Sequence, residues 1–218
     1  MDSILEVNGL NLSIPDRRLF SNLSFEIPRG SLTCITGENG VGKTTLMKHL
    51  LADLSRGYTG HVRFSVSRRQ VQYVPQLRSV DDEYPLCIRD FAAFGLRSRH
   101  IFLNGREKRK LDGILAETNL VKIADRPLGR ASGGEKQRAY LAQALCSDPK
   151  LLILDEATAS LDRTSKHELL KMLRKVMKEH DLTIMFITHD PELIDAYADY
   201  ELHLANESGK LIKKEGRN

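Results

Sequence analysis

The chain has 218 residues, 41% hydrophobic and 28% charged, which suits one folded domain with room for an inserted subdomain and excludes a disordered chain. Its net charge of +4 is too mild to point to nucleic acid. No apolar run approaches the roughly 20 residues that span a bilayer, and the opening MDSILEVNGL is unlike a secretory signal, so a cytoplasmic chain is expected. Cys34, Cys87 and Cys146 have no paired spacing and read as free thiols of a reducing compartment.

In chain order, ILEVNGLNLSI and LSFEIPRGS alternate apolar and polar residues, which predicts antiparallel strands at a sheet edge. LTCIT, a glycine cluster and TTLMKHLLADL read as strand, loop and helix, and GHVRFSV and VQYVP as short strands. From 77 to 144 the pattern turns helical, through CIRDFAAFGL, REKRKLDGILAETNL and GEKQRAYLAQALC. We read this as a helical subdomain inserted into an α/β core of about 1–76 and 145–218. KLLILDEA and LTIMFIT are continuous apolar runs, as expected of central parallel strands buried on both faces. KHELLKMLRKVMKEH is amphipathic, PELIDAYA a short helix, and the C-terminal stretch a final hairpin with a charged end.

GENGVGKTT fits the phosphate-loop pattern G-x-x-x-x-G-K-[ST], with Gly37, Gly42, Lys43 and Thr44 at its fixed positions and Glu38, Asn39 and Gly40 inside the loop. Such a loop turns its N–H groups inward around phosphate, and glycine tolerates the backbone angles this needs. Lys43 offers a point charge to the outer phosphates, Thr44 a hydroxyl to Mg²⁺, and a helix starting near Thr45 aims its positive end at the same place. The preceding strand and following helix are the context this pattern requires, so ATP and Mg²⁺ are the expected ligands.

LLILDEA ends in Asp155 and Glu156, where ligands bind in doubly wound sheets. Asp155 suits Mg²⁺; Glu156, one residue on and differently projected, suits orienting and deprotonating a water. His189 follows the strand LTIMFIT. A lone histidine is more often structural, but this position at a strand end points to the γ-phosphate or the water. Gln76 ends the strand before the helical insert and could touch Mg²⁺ or water; spacing alone does not decide it. His49, His61, His100, His167, His180 and His203 receive no role, and no metal-ligand cluster is evident in the spacing. RASGGEKQRAYLAQAL supplies a second anion-friendly helix start, with Ser132 as cap ahead of Gly133, Gly134 and Glu135.

These elements, in this order, resemble the ATP-binding cassette (ABC) ATPases. Gly37–Thr45 matches the Walker A motif, Gln76 the Q-loop, ASGGEKQ the signature, LLILDE the Walker B motif, ASLD (159–162) the D-loop and His189 the switch histidine. The resemblance implies a RecA-like P-loop NTPase core with an antiparallel β subdomain and the helical insert. It implies two cassettes packed head to tail as a homodimer, each ATP lying between one chain's phosphate loop and the other's signature (Ser132, Gly133, Gly134, Glu135), with Asp162 at the seam. That is why one chain carries two anion sites. Ala131 stands where leucine is usual, Glu135 where glutamine is usual, and Ala157 where proline is often found. Glu135 adds negative charge near the phosphates. The aromatic that usually stacks on adenine falls near Ile14, which is aliphatic, so weaker base stacking is implied.

A single cassette implies an ATPase subunit serving a separate membrane permease, docked near Gln76 and the insert, on the cytoplasmic face of the membrane. An extracytoplasmic substrate-binding protein would stand beyond the permease. YVPQLRSVDDEYPLCIRDF is similar to the same stretch of zinc and manganese importer ATPases, which suggests a metal ion or metal chelate as cargo. The alternatives are a soluble cassette ATPase of assembly or repair type and an exporter subunit for another substrate. The basic stretch LRSRHIFLNGREKRK lacks the aromatic interleaving of a nucleic-acid surface and reads as a solvated face.

Overall fold

The computed structural model describes residues 2–56, 61–76, 86–96 and 102–214. Residues 77–85 of the stretch YVPQLRSVDDEYPLCIRDF, part of the basic stretch with His100, and the charged end 215–218 lie outside the described residues. The strands β1 (Ser3–Ile14) and β2 (Arg17–Pro28) form an antiparallel ribbon. They are followed by β3 (Leu32–Thr36), α1 (Lys43–Arg56), β4 (Val62–Phe64) and β5 (Val71–Val74). The helices α2 (Ile88–Ala93), α3 (Gly105–Glu117) and α4 (Gly133–Leu145) come next. The chain then runs through β6 (Leu151–Asp155), α5 (Arg163–His180), β7 (Thr183–Ile187), α6 (Pro191–Tyr197), β8 (Tyr200–Ala205) and β9 (Ser208–Lys213).

β3, β6 and β7 are buried at every position. Such strands pack on both faces and so occupy the middle of a parallel sheet. The larger sheet runs β5-β6-β7-β3-β8-β9, parallel except for the last hairpin. One apolar layer joins α1 and the β1–β2 ribbon to one face of this sheet. The other face packs with α5 and continues without a break into α2, α3 and α4, so the inserted helices share the core of the sheet. α5 shows the sequence cause: Leu169, Leu170, Leu173, Val176 and Met177 recur at helical spacing and are all buried.

The edge expectation for the N-terminal strands is corrected in one respect. β1 is central, not an edge, because β4 pairs with its other side in a separate three-stranded sheet of order β2-β1-β4. β4 is only three residues long and lies about fifty residues downstream, so local alternation could not reveal the pairing.

Candidate nucleotide site

Three strand ends meet at one height. Ile35 pairs with Ile187, and Ile187 with Asp155, so β3, β7 and β6 finish in one register row. The loops leaving these strands therefore share one edge of the sheet: the glycine loop after β3, Thr188 and His189 after β7, and Glu156 after β6. Parallel strands do this whenever hydrophobic runs of equal length are aligned.

The loop needs its glycines. Gly37 has φ +139°, and a β-carbon there would run into the Leu204 carbonyl of β8. Gly42 has φ +109°, and a β-carbon would sit 3.2 Å from Leu19 and Phe20 of β2. The ribbon thus backs the loop, and Arg17 donates to the Gly40 carbonyl at 3.3 Å. α1 begins at Lys43, two residues before the expected start. Lys43 is 6% exposed, and its Nζ donates to the Gly37 and Glu38 carbonyls at 2.9 Å each. Burial pulls its pKa down, and the charges of Glu156 and Asp155 oppose that pull. Asn39 and Gly40 are exposed on the loop, and Thr45 lies in the first turn of α1.

The hydroxyl of Thr44 donates to Asp155 Oδ1 at 3.3 Å. The phenol of Tyr73, on β5, donates to Asp155 Oδ2 at 2.7 Å. Burial, then the hydrogen bond to Asp155, pushes the Tyr73 phenol well above its ordinary range. Glu156 turns left-handed at φ +48°, a conformation that costs a non-glycine residue about 1–2 kcal/mol. The turn separates its side chain from that of Asp155. Glu156 Oε2 accepts from Gln76 Nε2 at 2.8 Å, and Oε1 lies 3.5 Å from His189 Nε2. Thr44, Lys48, Tyr73, Gln76 and Asp155 line an open cavity of about 490 Å³ together with Tyr140 of α4. Hard oxygens of a hydroxyl and a carboxylate this close fit Mg²⁺.

Ser132 caps α4. Its hydroxyl accepts from the Glu135 N–H at 3.3 Å, and Glu135 Oε2 accepts from the Ser132 N–H at 2.7 Å. Arg126 also donates to Glu135, at 3.1 Å. Burial pushes the Glu135 carboxyl up, but the Ser132 hydrogen bonds and the charges of Arg126 and Arg138 hold it below the usual range. The negative charge of Glu135 is thus turned back onto its own helix start and paired with Arg126. The capping-box spacing S-x-x-E was the sequence signal. Positions for β-carbons on Gly133 and Gly134 fall 3.9 and 3.8 Å from Leu161, so the signature packs on the ASLD loop. Asp162 caps α5 through Ser165, whose hydroxyl and N–H hold its carboxyl below the usual range. No residue of the 131–137 run lines the cavity at Asp155.

Ile14 is 43% exposed at the tip of the ribbon. Sequence reasoning missed Tyr73, which no motif marks. It also found no metal-ligand cluster, whereas folding brings Glu117 of α3 together with Glu179 and His180 of α5, their ligand atoms within 4.8 Å. His180 there already pairs with Glu117 at 2.8 Å, and Glu179 with Lys175.

The family model of the ABC transporters matches residues 20–159, a stretch that includes the glycine loop, the signature and the Asp155–Glu156 pair. The chain belongs to the ABC transporter family. It is an ATPase subunit of the cassette type and binds ATP. It is 35% identical over 187 residues to a probable metal transport system ATP-binding protein of Thermotoga maritima, covering 86% of this chain and 75% of the relative. It is 32% identical to the manganese transport system ATP-binding protein MntB of Halalkalibacterium halodurans, over 95% of this chain and 85% of the relative. Its fold matches that of cbiO1 from Clostridium perfringens, part of the ABC transporter complex cbiONQ, at a TM-score of 0.83 and 29% identity, covering 98% of this chain and 89% of the other. No helix among the described residues is long and apolar enough to cross a membrane.

Proposed function

We propose that this ATPase works as a head-to-tail pair closed around ATP and drives a separate membrane permease that moves a metal ion or metal chelate. The carrying observation is Glu156, whose two oxygens are shared between Gln76 and His189 beside the Thr44–Asp155 pair. In this reading the loop N–H groups of Gly37, Glu38, Asn39, Gly40 and Gly42, with Lys43 and Thr45, hold the phosphates. Thr44, Asp155 and Gln76 would hold Mg²⁺, which would offset charge on the phosphate oxygens. Glu156 takes a proton from the attacking water, whose oxygen bonds to the γ-phosphorus as the bond to the ADP oxygen breaks. His189 hydrogen-bonds the γ-phosphate or the water. Ser132, Gly133, Gly134 and the Glu135-capped helix start close the partner's ATP, and Asp162 lies at the seam.

Two further observations support a transport role. Val74, Pro75, Phe94, Leu96 and Tyr140 line a surface groove of about 350 Å³ where a permease can press, and Phe94 within it is 66% exposed. The relatives carry metal and manganese transport in their names. The subunit would then sit on the cytoplasmic face of the membrane, with a substrate-binding protein beyond the permease. Uptake of radioactive zinc and manganese, measured in the deletion strain carrying the native or the Lys43→Ala chain, tests this. The native chain should restore uptake and Lys43→Ala should not; uptake unaffected by the deletion would overturn the metal assignment.

A further inference from the structure

β5 and the segment that leaves it reach the two consecutive acids at and just beyond the end of β6, with a different side chain for each. Gln76 meets Glu156, and Tyr73 meets Asp155. The register explains the reach. Tyr73 stands beside Ile153 in the parallel pair, so Asp155 lies two residues further along the neighbouring strand and on the same face.

Asp155 is 4% exposed. A carboxylate so deep needs donors on its oxygens. Its oxygens are divided: Oδ2 takes the Tyr73 phenol at 2.7 Å, and Oδ1 faces the Thr44 hydroxyl at 3.3 Å. The short bond fixes the plane of the carboxylate. The longer contact joins Thr44 and Asp155, which line the open cavity together with Tyr73 and Gln76. A hydroxyl is the natural donor, because it offers one proton and no positive charge that would compete with a cation.

We propose that Tyr73 is a positioning residue for metal binding: its phenol pins one oxygen of Asp155 and thereby presents the other, beside Thr44, to Mg²⁺. This rests on the reading of Asp155 as the metal-side carboxylate. Residues that orient a metal ligand typically change metal affinity 10- to 100-fold when removed. In this proposal Tyr73 acts through Asp155, its hydrogen-bond partner.

The test uses Mn²⁺ as the probe, titrated into the full chain with a non-hydrolysable ATP analogue and followed by electron paramagnetic resonance. Tyr73→Phe keeps the ring and removes only the donor. It should weaken Mn²⁺ binding about tenfold, while nucleotide affinity in EDTA stays unchanged and the lost hydrogen bond to a buried carboxylate lowers the thermal midpoint of the metal-free chain. Asp155→Asn, run alongside, should weaken Mn²⁺ at least as much. Native Mn²⁺ affinity in Tyr73→Phe, with Asp155→Asn impaired, overturns the role of Tyr73 alone. Native affinity in both overturns the metal-side reading of Asp155 and this proposal with it. A parallel loss of nucleotide affinity in EDTA would make Tyr73 a support of the fold instead, which also overturns the proposal.

Discussion

Gln76 and Glu156 meet at 2.8 Å although eighty residues separate them, and the bond joins the last residue before the helical insert to the acid after the central strand. Any movement of the insert that pulls on Gln76 is felt at Glu156. Replacing Glu156 by glutamine keeps the shape and removes the base. Turnover should fall by roughly 10²–10⁴, with ATP binding retained. Sedimentation of Glu156→Gln with Mg-ATP should show a dimer, and a monomer at every nucleotide concentration would contradict the paired arrangement.

The phosphate loop allows a prediction of space and backbone together. Gly37→Ala would force a β-carbon into the Leu204 carbonyl at a φ that L-residues rarely adopt. The cost should be about 1–3 kcal/mol or more, seen as a lower thermal midpoint, with nucleotide binding lost. Lys43→Ala should lose nucleotide binding while the midpoint changes little. Fluorescent-nucleotide titration and thermal melts together separate the two variants.

The glycine loop, the central strands and the two acids were legible because each is specified within about ten neighbouring residues. The tie between β5 and the acids was not. VQYVP reads only as a strand, and Tyr73 acquires a partner only once β5 is known to lie beside β6. The middle position of β1 was hidden for the same reason, since β4 arrives from far along the chain. Glu135 was half legible: the capping box is a sequence pattern, but Arg126 joins it only through the turn ahead of the helix.

The α4 start carries two separable effects. Ser132→Ala removes a cap and should cost about 1 kcal/mol of stability. It should also reduce turnover while leaving nucleotide binding to the isolated chain intact. Glu135→Gln should be milder at neutral pH. Because the Glu135 carboxyl lies below its usual range, its ionised form stabilises the fold above the unfolded value of about 4.3, and this is lost as pH falls through the folded value. The stability difference between native and Glu135→Gln chains should therefore shrink on acidification below about pH 4.3. A difference that grows in acid would contradict the pairing.

Cys146 is 1% exposed, and burial pushes its thiol up to about 12. The folded chain keeps this proton when the unfolded chain, with a thiol near about 8.5, has lost it. Stability should thus fall as pH rises above about 8.5, by at most about 1.4 kcal/mol per pH unit from this group. Alkylation at about pH 8 should spare Cys34 and Cys146 until the chain unfolds, and modify the half-buried Cys87 first. Rapid native-state labelling of Cys146 would contradict its burial.

The central claim is that this ATPase serves a membrane permease. The most direct measurement is to express the tagged Glu156→Gln chain in its own host, solubilise the membranes gently with ATP present, and identify what co-purifies. A polytopic membrane protein in stoichiometric amount is the predicted result. Recovery of the chain with soluble partners only, and none in the membrane fraction, would contradict it.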